Sequence, residues 1–172
     1  MSIARRLSGG NPRSLADVAA VIEAVLDDPA QLEELFDCLF CNDPIVRMRA
    51  ADGLEKIAGQ RPELMIPYLE RLLGDVATIK QPSVQWHLAQ ILAQVPLDPD
   101  QRQRAIKVLK RNLERSEDWI VLTVTMESLA LFAKDDAKLR HWLLPALRSR
   151  LADERKAVVK RADKLLKSLK PA

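Results

Sequence analysis

Prolines recur along this chain of 172 residues at positions where a helix can begin. A proline at the first position of a helix costs no hydrogen bond, and its fixed φ already suits the helix. Two of them stand in matching sequences, Asp28-Pro29-Ala30-Gln31 and Asp98-Pro99-Asp100-Gln101. There the aspartate can cap the helix and the glutamine can reach back to the N–H of the capping residue. Helix starts are therefore predicted at Pro29, Pro44, Pro62, Pro82 and Pro99.

Between these starts, apolar residues recur every three or four positions, which indicates amphipathic helices. The composition agrees, because 5 glycines and 4% aromatic residues fit helices better than a sheet. The predicted helices are 15–26, 29–41, 44–59, 62–74, 82–95, 99–115, 117–133, 137–151 and 154–169. Since the connections are short, successive helices are expected to pack as antiparallel hairpins. The predicted fold class is all-α.

Four segments of the chain fall into register with one another. They begin at residues 43, 81, 118 and 154, so the steps between them are 38, 37 and 36 residues. This period is typical of repeats built from pairs of helices. The first aligned column holds Ala51, Ala89, Met126 and Ala162, and the second holds Leu54, Leu92, Leu129 and Leu165. Small and then large apolar residues in fixed columns suit the close stacking of one helix pair on the next.

The first of these segments, Asp43-Pro44-x-Val46-Arg47-x-x-Ala50-Ala51-x-x-Leu54, is followed by a second helix that contains Pro67. This pattern resembles a HEAT repeat. The resemblance covers most of residues 43–170, is looser in the segments that begin at 81 and 118, and is weakest at 154. Gln81, Gln85 and Leu122 stand where the family usually has aspartate or arginine.

The resemblance implies a right-handed α-solenoid of about four antiparallel helix pairs, near 15–41, 43–75, 81–115 and 117–152, with a final helix at 154–169. Residues 1–13 are expected to form a poorly ordered tail, and residues 14–172 a single HEAT-like domain. An ordinary helical bundle with coincidental spacing is the structural alternative.

The function that the resemblance implies is that of a non-catalytic scaffold or adaptor, which binds a protein on the curved surface of the stacked helices. The sequence has no glycine-rich phosphate loop, no H-E-x-x-H and no G-x-S-x-G. We therefore expect no enzyme activity, no cofactor and no small-molecule substrate. The alternative is a DNA-binding protein similar to the alkylpurine DNA glycosylases built on HEAT-like repeats. Trp86, Trp119, Trp142 and Asp118 supply comparable residue types, but no local motif identifies a catalytic residue.

A row of basic residues on the predicted helix 99–115 is the candidate partner-binding site. Arg104, Lys107, Arg111 and Arg115 share one face, at i, i+3, i+7 and i+11, and the opposite face is apolar. In the next second helix, Arg140, Arg148 and Arg150 are expected to extend this patch. Such residues bind phosphates or acidic proteins through charge-assisted hydrogen bonds. An acidic protein is favoured over nucleic acid, because a net charge of +3 is modest. A solvated face without a partner is the alternative.

Cys38 and Cys41 form a C-x-x-C, which can indicate a redox or zinc site. Their predicted place at the end of a helix disfavours a thiolate, and His87 and His141 lack a zinc-finger spacing. We therefore expect two packed cysteines and no metal. No run of about 18 uncharged apolar residues occurs, so a soluble, cytoplasmic protein without a membrane partner is expected.

Overall fold

The computed structural model describes residues 1–9, 11 and 17–169. Over these residues the protein is all-helical and has no strand, which confirms the predicted fold class. The α-helices are α1 (Ile3–Leu7), α2 (Val18–Asp27), α3 (Leu32–Asp37), α4 (Pro44–Gln60), α5 (Leu69–Leu73), α6 (Pro82–Gln94), α7 (Pro99–Arg115), α8 (Trp119–Ala133), α9 (Ala137–Ser149) and α10 (Lys156–Ser168). Short 3₁₀ segments occupy Pro29–Gln31, Cys38–Phe40, Pro62–Tyr68, Val76–Thr78 and Arg150–Ala152.

The predicted helix starts have a local chemical cause. Asp43 accepts a hydrogen bond from the N–H of Ile45 at 2.8 Å, directly before Pro44. Asp98 and Gln101 form a complete capping box at the start of α7. The capping box predicted at Asp28 is wrong. Because residues 29–31 form a 3₁₀ turn, the side chain of Gln31 donates to the Asp28 carboxylate at 3.3 Å.

The segment 62–74 was predicted as one helix but has two parts, a 3₁₀ segment at Pro62–Tyr68 and the short helix α5. Pro67 lies inside the first part and has no N–H for an α-helical hydrogen bond. The tighter 3₁₀ winding is a common arrangement of short segments that do not continue a regular α-helix.

The backbone divides into two compact units, Met1–Pro96 and Leu97–Ala172. In the first unit, α4 packs against α2 on one side and against α6 on another. Gly53 of α4 lies against Val18 and Ile22 of α2, since a Cβ at Gly53 would be 3.7–3.8 Å from their side chains. Toward α6, Arg47 donates to the Gln81 side chain at 2.7 Å. The predicted HEAT-like domain 14–172, with its solenoid arrangement, stays a prediction.

The N-terminal residues differ from the expected poorly ordered tail 1–13. Residues 3–7 form α1, in which Ile3 and Leu7 are buried. The backbone N–H of Ile3 donates to the Glu34 carboxylate at 2.7 Å. The fully buried Arg49 donates to the carbonyls of Leu7, Gly9 and Asn11 at 2.7, 2.7 and 3.0 Å. Burial and hydrogen bonding therefore hold this segment. Residues 10, 12 and 13 lie outside the described residues.

In the second unit, α8 packs against α7, α9 and α10. Such a position suits a helix that is apolar on several sides, because each apolar side meets another helix. Met126 and Leu129 of α8 are fully buried.

The repeat columns predicted from the sequence correspond to buried positions. The first column is buried throughout, at Ala51, Ala89, Met126 and Ala162. The second column is fully buried at Leu54, Leu92 and Leu129, but Leu165 of α10 is only half-buried. The small-then-large pattern is therefore a core pattern in both units, and it weakens in α10.

Candidate partner-binding surface

Helix α7 separates an apolar face from a basic one, as the sequence predicted. Its apolar face is buried at Ala105, Ile106, Leu109 and Leu113. Asn112, which is also buried, lies on the same side. Because packing and the capping box already hold this helix, the charged residues on its other face are not needed to anchor it.

The basic face of α7 contains Arg104, Lys107, Arg111 and Arg115, and we call these four residues the α7 basic face. Lys107 and Arg115 are exposed, whereas Arg104 and Arg111 are half-buried. Arg104 lies 3.9 Å from the carboxylate of Asp100, a long ion pair with a side chain that is 81% exposed. An exposed pair of this kind contributes little to stability. The guanidinium of Arg104 is therefore open to a further anionic partner.

Two residues of α7 add negative charge to the same side of the helix. Asp100 precedes Arg104 by one turn, and the exposed Glu114 lies between Arg111 and Arg115 in the sequence. At 100° per residue, both carboxylates project within about 40° of Lys107 or Arg111. The α7 basic face is therefore a mixed surface with an excess of positive charge.

The three arginines that were expected to extend this face have different roles. Arg140 donates to the carbonyl oxygens of Ala133 and Lys134 at 3.1 and 2.9 Å, where α8 ends. Arg150 donates to the carbonyl of Leu113 at 2.5 Å, in the last turn of α7. Both guanidinium groups thus satisfy carbonyls that helix ends leave without intrahelical partners. Of the three, only Arg148 is exposed.

Other arginines act in the same way. Arg102 donates to the carbonyl of Phe132 at 2.7 Å and lies over its ring, 4.9 Å from the centroid. Arg155 donates to the carbonyl of Glu117 and binds the Asp153 carboxylate at 2.7 Å. These hydrogen bonds to Arg155 lower the pKa of Asp153 to about 2. Part of the basic excess in the second unit therefore holds helix ends.

A cation–π contact joins α7 to α9. The ammonium of Lys110 lies 4.2 Å from the centroid of the Trp142 ring, and Trp142 is half-buried. Such a contact contributes about 0.5–1 kcal/mol at an exposed site. The sequence analysis missed this pair, because the two residues are far apart in the chain and neither stands in a motif.

The acidic helix α3, which was the next candidate surface, is engaged within the first unit. Arg71 binds the carboxylates of Glu33 and Asp37 at 2.7 and 2.8 Å. Its guanidinium also lies 4.5 Å from the centroid of the Phe36 ring, against which Tyr68 stacks at 4.7 Å. Burial and the hydrogen bond to Glu33 raise the pKa of Tyr68 to about 12. This cluster has a structural role.

The residues considered for a glycosylase-like site have local roles as well. The Asp118 carboxylate accepts hydrogen bonds from the N–H groups of Ile120 and Val121 at 2.9 and 3.0 Å, and so caps α8. Trp119 follows it and is half exposed, whereas Trp142 lies under Lys110. The geometry of Asp118 is that of a helix cap.

The cysteines lie at the end of the α3 segment. Cys38 is buried and its thiol donates to the Glu34 carbonyl at 3.3 Å. Burial raises the pKa of Cys38 to about 12, with smaller contributions from Cys41 and nearby carboxylates. Cys38 is therefore a thiol at neutral pH, which makes it a poor nucleophile and a poor metal ligand. Among the described residues, no group of three or more His, Cys, Asp or Glu side chains could hold a metal ion.

One buried titratable group lies between α4 and α6. The Nε2 of His87 is 4.0 Å from the Asp52 carboxylate, which Lys56 binds at 2.6 Å. Within the described part of the chain, the buried Nδ1 of His87 has no hydrogen-bond partner. Burial lowers the pKa of His87, against the opposing attraction of Asp52.

Comparison with known proteins leaves the resemblance to HEAT repeats as an interpretation of the pattern. No protein-family model matches the chain, and no curated protein sequence matches it. Within residues 1–9, 11 and 17–169, no helix is long and apolar enough to span a membrane.

Proposed function

We propose that this protein is a non-catalytic binding module, built from HEAT-like helix pairs, that holds an acidic protein on the α7 basic face. The exposure of Lys107 and Arg115 is the observation that carries this proposal. Arg140 and Arg150 bind backbone carbonyls, whereas the α7 basic face projects from a helix that other residues anchor.

The packing of alternate helices supports the repeat part of the proposal. In the first unit α2, α4 and α6 lie side by side, and in the second unit α8 and α10 do so. Gln81 departs from the usual residue of the family, yet its side chain accepts a hydrogen bond from Arg47 of the preceding segment. Within each unit, stacking of equivalent helices is what a HEAT-like array requires.

The mixed charge of α7 favours a protein as the partner. Nucleic acid presents a uniform row of phosphates, which would meet the carboxylates of Asp100 and Glu114 as well as the cations. A protein can place acidic side chains opposite Arg104, Lys107 and Arg111 and leave other groups opposite the two carboxylates. The surface is therefore better suited to an acidic protein than to a polyanion.

Charge reversal tests the proposal. The test variant carries Arg104→Glu, Lys107→Glu and Arg111→Glu, and the matched control carries Lys80→Glu, Lys134→Glu and Lys138→Glu, three exposed lysines elsewhere on the chain. Tagged proteins recover partners from nuclease-treated lysate at low and high salt, and the recovered proteins are quantified by mass spectrometry. We expect the unmodified protein and the control to recover the same acidic partner, more at low salt, and the test variant to lose it.

Recovery of the same partner by the test variant, with an unchanged salt response, would contradict the proposal. Fluorescence anisotropy with a labelled DNA duplex tests the alternative partner. Strong duplex binding that the test variant loses would favour the nucleic-acid function instead.

A further inference from the structure

A second basic surface lies on α10, on the side opposite its buried residues Val158 and Ala162. Lys156, Lys160 and Lys164 are exposed at four-residue intervals, and in an α-helix this spacing is about 6 Å along one face. Among the described residues, these three lysines have no ion-pair partner, whereas Lys167 binds Asp163 at 2.6 Å. We call Lys156, Lys160 and Lys164 the α10 lysine row.

Apolar side chains remain partly uncovered beside the α10 lysine row. Val159 and Leu166 of α10 are half-buried. The side of α10 that faces α8 is marked by Arg161, which binds Glu127 of α8. At 100° per residue, Val159 and Leu166 project about 140–160° away from Arg161. The half-buried apolar side chains therefore lie on the side of α10 that α8 does not cover.

Helix α2 of the first unit has a complementary face. Glu23 and Asp27 are exposed one turn apart, and among the described residues neither has an ion-pair partner. Val18 and Ile22 mark the side of α2 that packs against α4. Glu23 and Asp27 project about 120–160° from that side. The half-buried Ala20 and Ala24 share this outer face, which we call the α2 acidic face.

We infer that the α10 lysine row of one molecule binds the α2 acidic face of a second copy of this chain. Residues 1–86 carry 9 Lys and Arg against 13 Asp and Glu, and residues 87–172 carry 18 against 11. Residues 87–96 contain none of these, so the first unit has net negative charge and the second has net positive charge. Opposite charges on the two units attract one molecule to the next.

The shapes of the two faces also match. The small side chains of Ala20 and Ala24 allow another helix to approach closely, and Val159 and Leu166 provide larger apolar groups to fill the space between the helices. The one-turn spacing of Glu23 and Asp27 equals the spacing of neighbouring lysines in the α10 lysine row. Side-by-side packing of such helices already occurs within each unit, between α2 and α4 and between α8 and α10.

The contact joins different surfaces of identical molecules, so it leaves one copy of each surface free in a dimer and can add further molecules. One helix face on another buries less than the roughly 1,200 Å² of a standard stable interface. We therefore expect a weak, reversible and salt-sensitive association of the full chain.

Two charge-reversed variants test the inference. The first carries Lys156→Glu, Lys160→Glu and Lys164→Glu, and the second carries Glu23→Lys and Asp27→Lys. Sedimentation velocity is measured over a range of protein concentrations at low and high salt. Each variant alone should self-associate at least about 10-fold more weakly than the unmodified protein at low salt, because each opposes like charges.

Mixing supplies the decisive result. In a mixture of the two variants, an acidic α10 meets a basic α2 and a basic α10 meets an acidic α2, so we expect association to return. The control variant Lys80→Glu, Lys134→Glu and Lys138→Glu should associate like the unmodified protein. Melting curves show whether each variant remains folded, since substitutions at these exposed positions should leave stability nearly unchanged.

Three results would overturn the inference: a monomeric unmodified protein at low salt, unimpaired association of either variant, or a mixture that stays monomeric. The reversal of the α7 basic face changes none of these charges. Failure of the proposed partner binding and failure of self-association are therefore observed separately.

Discussion

Replacement of Arg49 by methionine tests how the N-terminal segment is held. Arg49 of α4 is fully buried, and its guanidinium donates to the carbonyls of Leu7, Gly9 and Asn11. Methionine keeps much of the apolar length of the side chain but donates no hydrogen bond. The substitution therefore removes the anchor of residues 7–11 and leaves the packing of α4 largely in place.

The expected cost follows from two opposing effects. A hydrogen bond to a charged group stabilises by about 1.5–3 kcal/mol, so three of them represent about 5–9 kcal/mol. Removing a buried guanidinium also removes the cost of taking that charge out of water, which offsets part of this loss. We expect a net decrease of about 2–4 kcal/mol in the free energy of unfolding.

Urea denaturation of the full chain measures this free energy, and amide hydrogen exchange reports on α1 directly. Exchange in Ile3–Leu7 should become faster in the Arg49→Met variant, because the segment loses its attachment to α4. The control is Arg148→Met, which changes an exposed arginine and should alter stability by less than about 0.5 kcal/mol. If Arg49→Met costs no more than this control and α1 exchange is unchanged, the anchoring role is refuted.

Three further predictions concern the core, pH and the thiols. Leu129→Asp should destabilise by several kcal/mol in chemical denaturation, since it buries an unpaired carboxylate, and Leu165→Asp in the same repeat column should cost clearly less. Because burial lowers the folded-state pKa of His87 below 6.5, stability should be complete above that pH and fall as the pH drops below it. Melting curves of His87→Gln, compared between about pH 7 and 5, should lack this part of the decrease. With a thiol reagent in excess, Cys41 should react quickly and Cys38 only on unfolding, so two equally fast thiols would contradict the burial of Cys38.

The sequence predicted the parts of the fold that depend on local chemistry. Asp43 and Asp98 cap helices through atoms two or three residues away, so the signal and its effect lie in the same few residues. Pro67 also gave a readable signal for the 3₁₀ segment, but the apolar period around it outweighed that signal in the prediction. The repeat columns were predictable because they need only a period and a size pattern.

Contacts between distant residues were not predictable in this way. The order of residues 3–11 depends on Arg49, about 40 positions later in the chain. Nothing near Ile3 indicates that anchor, although Ile3 and Leu7 have the four-residue spacing of a helix face.

The candidate site shows the same division. The face of α7 followed from its period, because a helix places i, i+3, i+7 and i+11 together. The role of Arg150 depends on the carbonyl of Leu113, 37 positions earlier, so its sequence neighbours could not distinguish a surface cation from one that caps a helix. The α10 lysine row had a readable period, but its lack of partners required the structure.

The contact between Lys110 and Trp142 gives the protein a built-in optical reporter. The indole emission of a tryptophan depends on nearby charge, and this ring has an ammonium 4.2 Å from its centroid. Lys110 belongs to the helix that bears the α7 basic face, so a bound acidic partner that draws the ammonium away would change the emission of Trp142. With Trp86 and Trp119 replaced by phenylalanine, this signal would follow binding in real time without an added label.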